Sequence, residues 1–181
     1  MLVFITGVAG SGKSALAGHL RSRGLRAQDA DCGISRHVDA ATGLPAQAPP
    51  RAGQTPQWAA LHEFRFDLDR VSRLAESAGP HAPAFLLGAA YGDDEVVAIA
   101  NRSFFLDLDE AELRRRLAAR PAGSYGQEAH ELESVLAWHA GAAERYEALG
   151  AVRLDAARPV GQIADELLGA LGISAGDTRL P

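Results

Sequence analysis

Lysine is almost missing from this chain. Of the 18 basic residues among 181, one is lysine, Lys13, and the others are arginine. Cysteine is equally scarce. Cys32 stands alone, which excludes an intrachain disulfide and a cysteine-cluster zinc site and fits a reducing compartment. No stretch approaches the roughly 18 consecutive apolar residues of a membrane span. The opening MLVFITGVAGSGKS has no basic region ahead of an apolar run, so it reads neither as a secretory signal nor as an anchor. No repeat recurs at solenoid spacing. A formal net charge of −5 argues against a nucleic-acid partner held through bulk charge. Together these absences point to a cytoplasmic protein that engages neither membrane nor nucleic acid. What remains is ordinary: 47% hydrophobic residues in a length typical of one domain, enough for a core without staples. The Ala- and Arg-rich composition suggests a genome in which lysine codons are rare, so the one lysine present directs attention to its surroundings.

Leu2 to Thr6 is a short run of β-formers closed by Gly7 and reads as a buried central strand. Lys13 to Arg23 reads as a helix with Leu16 and Leu20 on one face and Gly24 at its end. A weak second strand is expected over 25–29. Residues 31–56, with Pro45, Pro49, Pro50 and Pro56, read as loop or irregular helix, a substrate-side insertion. The spacing of Leu61, Phe64, Leu68, Val71 and Ala75 predicts one long helix over 57–78. Further strands are expected over 84–87, 103–108 and 151–154, and helices over 93–101, 109–120, 127–149 and 159–171. This alternation predicts an α/β fold in three layers, a five-stranded parallel sheet with helices on both faces. A single domain over 1–172 is expected, followed by a flexible tail over 173–181.

The lysine lies in Gly7-Val8-Ala9-Gly10-Ser11-Gly12-Lys13-Ser14, a G-x-x-x-x-G-K-S run between an expected strand and an expected helix. Glycines there let successive backbone N–H groups turn inward around a polyphosphate, and the helix N-terminus adds its positive end. The expected cradle is formed by Gly7, Ala9, Gly10, Ser11, Gly12, Lys13, Ser14 and Ala15. Lys13 reaches the β- and γ-phosphates, and the Ser14 hydroxyl is a Mg2+ ligand. Asp29-Ala30-Asp31 follows the second strand, at the carboxyl end where ligands gather in such sheets. An Asp-x-Asp there can hold Mg2+ through water and accept a proton from a phosphoryl acceptor.

A glycine-rich phosphate loop on the first strand of so short a chain resembles the small P-loop kinases, among them nucleotide kinases, shikimate kinase and gluconate kinase. The resemblance implies a P-loop NTPase fold, ATP and Mg2+ as cofactors, and a small-molecule acceptor. The Asp-x-Asp looks like that of shikimate kinase, which implies a metal role for Asp29 and an orienting or basic role for Asp31, with the assignment of the base between the two left open. Two departures stand against shikimate as the substrate. The glycine run of shikimate kinases is replaced by Gly88-Ala89-Ala90-Tyr91-Gly92, and the strand Phe85-Leu86-Leu87 ends without a Walker B aspartate. Asp109 reads as a helix N-cap.

Arg116 and Arg120 are four apart on one helix face, and guanidinium suits a transferring phosphoryl group because it is planar, permanently charged and bidentate. The Arg-Leu-x-x-Arg phrase resembles the lid entrance of small nucleotide kinases and implies catalytic arginines, with residues 121–126 as a short lid and Tyr125-Gly126 as its hinge. Arg114 and Arg115 read as a solvated face. The loop Asp155 to Val160 resembles the adenine-wrapping loop of the same kinases, implying nucleotide contacts from Arg158 and Pro159. Acceptor-pocket candidates are Arg36, His37, Trp58, His62, Arg65 and Tyr91. The function expected is phosphoryl transfer to a nucleoside, nucleotide or polyol hydroxyl by a monomer or homodimer. The alternative is a nucleotide-binding switch or slow NTPase with a protein partner; no guanine-reading Asn-Lys-x-Asp is available, because Lys13 is the only lysine.

Overall fold

The computed structural model describes residues 1–79 and 82–173. Five parallel strands form the central sheet: β1 (Leu2–Thr6), β2 (Arg26–Asp29), β5 (Ala84–Leu87), β6 (Arg102–Asp107) and β7 (Val152–Asp155), in the order β2-β5-β1-β6-β7. A separate antiparallel pair is made by β3 (Ser35–Asp39) and β4 (His62–Phe66). The helices are α1 (Lys13–Ser22), α2 (Pro56–Leu61), α3 (Leu68–Glu76), α4 (Asp93–Ile99), α5 (Glu110–Ala118), α6 (Ala129–His139), α7 (Ala142–Ala148) and α8 (Val160–Ala170), with a short 3-10 turn over Arg51–Gly53.

β1 is central because every one of its side chains is apolar or small and both of its faces are covered. Val3 and Ile5 enter one core with Leu16, Leu20, Leu113, Leu117 and Leu167, whereas Leu2 and Phe4 enter a second core with Ala30, Ile34, Phe66, Val71 and Ala90. The pleat thus divides one strand between two hydrophobic layers.

Three sequence expectations need correction. Residues 57–78 are not one helix. Thr55 caps α2 by accepting from the Trp58 N–H, His62–Phe66 pairs with Ser35–Asp39, and Asp67 caps α3 by accepting from the Arg70 N–H. Pairing and capping outweighed the helical spacing, and Leu61, counted on its inner face, is 63% exposed. Residues 31–56 are accordingly not all loop, since they supply β3 and the 3-10 turn. Residues 127–149, expected as one helix, break into α6 and α7 at Ala140-Gly141, and Leu149 is the exposed C-cap of α7. Of the expected tail, Ile173 packs against the first core and donates its N–H to Leu168 O at 3.0 Å, and the remainder lies outside the described residues. Among the described residues no helix is long and apolar enough to cross a membrane.

Candidate active site

The loop between β1 and α1 closes over the carboxyl end of the sheet. Gly10 takes a φ of +90°, and a Cβ there would meet Leu113 Cδ1 and Leu117 Cδ2 at 3.1 Å. The loop therefore rests directly on α5 and cannot carry a side chain at this point. Lys13 Nζ folds inward and donates to the Gly7 carbonyl and, at 3.0 Å, to that of Val8. Ser14 Oγ donates to Asp29 Oδ2 at 2.8 Å, and the Asp31 N–H donates to Asp29 Oδ1 at 3.1 Å. The two sequence motifs are thereby joined across the space between α1 and β2.

Charge is concentrated at this junction. Burial pushes the Lys13 ammonium down to about 8 despite the opposing pull of Asp31 and Asp29, and Arg120 pushes it the same way. Burial also raises Asp31, with Asp29 adding to the rise and Lys13 and Arg120 opposing it. Lys13 and Asp31 thus each feel the charges of the other, of Asp29 and of Arg120, with burial the larger cause in both.

The arginines separate by role. Arg116 is held on three sides: Nε donates to Glu112 at 2.6 Å, one terminal nitrogen to Ala156 O at 2.8 Å and the other to Ser11 O at 3.4 Å. It bridges the phosphate loop to the loop after β7. Hydrogen bonds from Arg115 and Arg116 hold the Glu112 carboxyl down at about 2. Arg120 donates to Tyr125 O at 2.9 Å, and its charge is felt at Lys13 and Asp31. Arg114 and Arg115 pair with Glu110 and Glu112 on the solvent side, and Asp109 caps α5 by accepting from the Glu112 N–H at 2.8 Å. Arg158 runs along α8 to Gln162 and Glu166, so the structure does not bring it to the phosphate loop; Pro159 is the N-cap of α8.

On the other side, the β3–β4 pair collects three of the acceptor candidates. Trp58 stacks on His62 with centroids 4.4 Å apart, and His37 meets Trp58 at 4.9 Å and Phe64 at 5.0 Å. Burial and the neighbouring His62 lower the His37 pKa. Arg65 forms a second group. It donates twice to Glu63 and lies 6.0 Å from the Tyr91 ring, which in turn meets Trp138 edge-on at 5.4 Å. Arg36, the cross-strand partner of Arg65, is paired with Asp67 at 3.2 Å.

No family model and no curated protein sequence matches the chain. Solved structures do. A sugar kinase from Janibacter sp. HTCC2649 aligns over 99% of this chain and 98% of its own at 21% identity, with a TM-score of 0.58. A gluconokinase from Sinorhizobium meliloti 1021 covers 94% of this chain and 90% of its own at 20% identity, with a TM-score of 0.52. A shikimate kinase from Acinetobacter baumannii in complex with shikimate covers 94% and 93% at 14% identity, with a TM-score of 0.60. This chain has the small P-loop kinase fold.

Within that P-loop kinase fold, the loop after β5 obeys a tight local constraint. A Cβ at Gly88 would lie 2.4 Å from Ala30 Cβ and 3.2 Å from Phe66 Cζ, so a side chain is excluded there. Several residues of consequence escaped sequence reasoning. Trp138 reaches the acceptor side from α6, and the interruption at Gly141 that frees α6 from α7 was the available signal. Asp93, 1% exposed, accepts from Tyr146 and Arg145, and Thr6 Oγ1 donates to Tyr146 at 3.5 Å, so the root of the phosphate loop is tied to α4 and α7. Arg51 and Glu131 join the insertion to the start of α6, and nothing in their local sequence singled them out.

Proposed function

We propose that the chain is an ATP- and Mg2+-dependent phosphotransferase that moves a phosphoryl group to a hydroxyl of a small molecule. The observation that carries this reading is the junction of the phosphate loop with the end of β2, where Ser14, the neighbour of Lys13, and the Asp31 N–H both bond to Asp29. The backbone N–H groups of Gly7 to Ala15 and the N-terminus of α1 hold the polyphosphate. Lys13 exchanges its bonds to the Gly7 and Val8 carbonyls for phosphate oxygens. Ser14 and Asp29 fit Mg2+, which when bound neutralises phosphate charge. Ser14 and Asp29 would be its protein ligands, with water and phosphate oxygens completing the shell, as Mg2+ favours.

Asp31 orients the acceptor hydroxyl and takes its proton. Its raised pKa makes it a stronger base than an ordinary carboxylate. Arg120 stabilises charge on the group in transit, and Arg116, fixed between Ser11 and Ala156, supports the nucleotide. Arg65, Tyr91 and Trp138 line the acceptor side, where aromatic faces and a guanidinium suit a nucleoside, nucleotide or polyol. The free Cys32 fits a cytoplasmic enzyme.

A coupled assay for ADP release, run with and without Mg2+ across a library of hydroxyl acceptors, tests the reading. Turnover stimulated by an acceptor and abolished without Mg2+ is expected. Tight nucleotide binding without stimulation by any acceptor overturns the kinase reading and favours a nucleotide switch.

A further inference from the structure

The 3-10 turn Arg51–Gly53 belongs to the segment between β3 and α2, far in sequence from the lid segment 121–126. Its first residue nevertheless reaches both that lid and the start of α6. Arg51 Nε donates to Gly123 O at 3.2 Å, a terminal nitrogen pairs with the Glu131 carboxylate, and the guanidinium carbon lies 5.5 Å from the centre of the Tyr125 ring. The turn itself is stiffened from behind. Arg51 donates to Gln54 Oε1 at 3.2 Å, Gln54 donates to Pro49 O at 3.1 Å, and Ala46 N–H donates to His37 O at 2.9 Å, which fastens the segment to β3.

Glu131, 3% exposed, is an unusual surface for a loop to dock on. It accepts the N–H of Gly126 at 2.9 Å and that of Glu128 at 3.4 Å, closing a capping box at the start of α6. Burial alone would raise its carboxyl, yet Arg51 and these backbone donors hold it below the usual carboxylate range. A buried carboxylate so placed requires its cation, because an unpaired charge there is costly. Arg120 completes the chain of contacts. It donates to the Tyr125 carbonyl, and Gln127 donates to the Arg120 carbonyl at 2.7 Å. The Arg120 guanidinium is therefore held by the same short turn that Arg51 clamps.

Resting on the kinase reading above, we infer that Arg51 is a positioning residue that tethers the acceptor-side segment to the lid, so that the aim of Arg120 depends on that segment being docked. Arg51 touches none of the reacting groups; it acts through Tyr125 and Arg120. The chain thereby links the acceptor side to the arginine that serves the transferring group, with a buried ion pair as the fastening point.

The test combines hydrogen exchange with a double-mutant cycle on the full chain. Arg51→Ala is expected to speed amide exchange in 121–127 and in 45–55 together, while β1 and α1 stay protected as in the parent. It is expected to lower kcat by about tenfold to 10²-fold, the scale of a small misplacement, with nucleotide affinity kept within about twofold. Because Arg51 acts through Arg120, adding Arg51→Ala to Arg120→Ala should cost little more than Arg120→Ala alone. Glu131→Gln approaches the tether from its other end, keeping an acceptor for Gly126 while removing the charge, and should reproduce the paired rise in exchange in milder form. Unchanged lid exchange in both variants, or a fully additive loss in the Arg120→Ala background, overturns the tether. Exchange needs no turnover, so a chain without any acceptor-stimulated activity would overturn the kinase reading and leave the tether to be upheld or rejected by exchange alone.

Discussion

The two sides of the candidate site are built in opposite ways. The phosphate side is eight consecutive residues, Gly7 to Ser14, laid over the core that contains Val3, Ile5, Leu113 and Leu117. The acceptor side is assembled from separate segments: Asp31, the β3–β4 pair, the loop after β5 and Trp138 from α6. Much of it rests on the other core, around Phe4, Ala30, Ile34, Phe66 and Ala90. On the proposed function, the difference follows from what each side would bind. A polyphosphate presents the same oxygens in every nucleotide, so backbone N–H groups on one rigid turn suffice. An acceptor is a particular shape, and only side chains brought from distant parts of the chain can match it.

The largest effect should come from the phosphate side. Lys13→Arg keeps the charge but adds bulk over the Gly7 and Val8 carbonyls, and is expected to lower kcat by about 10²–10³-fold. Acceptor binding, followed by calorimetry, should barely change, and a parallel loss there would break the division between the two sides. Asp31→Asn is the converse test. It should lower kcat by about 10²-fold, as expected for a lost general base, while nucleotide affinity survives. A third test uses pH. Lys13 is charged below a pKa of about 8 and neutral above it, so nucleotide affinity should fall as pH rises through that value, approaching about tenfold per unit beyond it. Binding that stays flat from pH 7 to pH 9.5 (about the span needed) would remove Lys13 from the phosphate contacts.

Gly88→Ala probes the border between the two sides. Its new methyl group would crowd Ala30 and Phe66, and a loss of about 1–3 kcal/mol in denaturant unfolding is expected, with acceptor KM rising more than nucleotide KM. The smallest effect belongs to Arg114→Ala. Arg114 is paired on the surface with Glu110, and its removal should change stability by no more than about 0.5 kcal/mol and leave turnover intact. A large effect there would mean that the solvated face of α5 takes part in the site.

This contrast also explains which features the sequence disclosed. The phosphate loop, the Asp29–Asp31 pair, the order of the five sheet strands along the chain and the Asp109 cap are local patterns, and each was visible in a short window. The β3–β4 pair was hidden because Phe64, Leu68, Val71 and Ala75 keep a helical spacing, although His62 to Phe66 also alternates as a strand does. Only pairing with residues some 25 positions earlier decides between the two, and a window cannot contain it. Arg51, Glu131 and Trp138 were illegible for the same reason, since each acquires its role from partners dozens of residues away. Arg116 was identified, but its neighbours give it a more anchored position than a mobile lid arginine would have.

The seating of the single lysine has a practical side. Reagents that attack amines ordinarily scatter over a protein surface, but here the chain offers them one side chain, inside the phosphate loop, with a depressed pKa that leaves a large neutral fraction in mildly alkaline buffer. The other amine, at Met1, is bonded to the carbonyls of Ala78 and Gly79 much as Lys13 is to those of Gly7 and Val8, so these two groups are the amine targets. Dye coupling or attachment to an amine-reactive support would therefore report on, and consume, the nucleotide site itself, and tethering the molecule without harming it calls for the exposed thiol of Cys32 to be replaced by one placed away from Asp31.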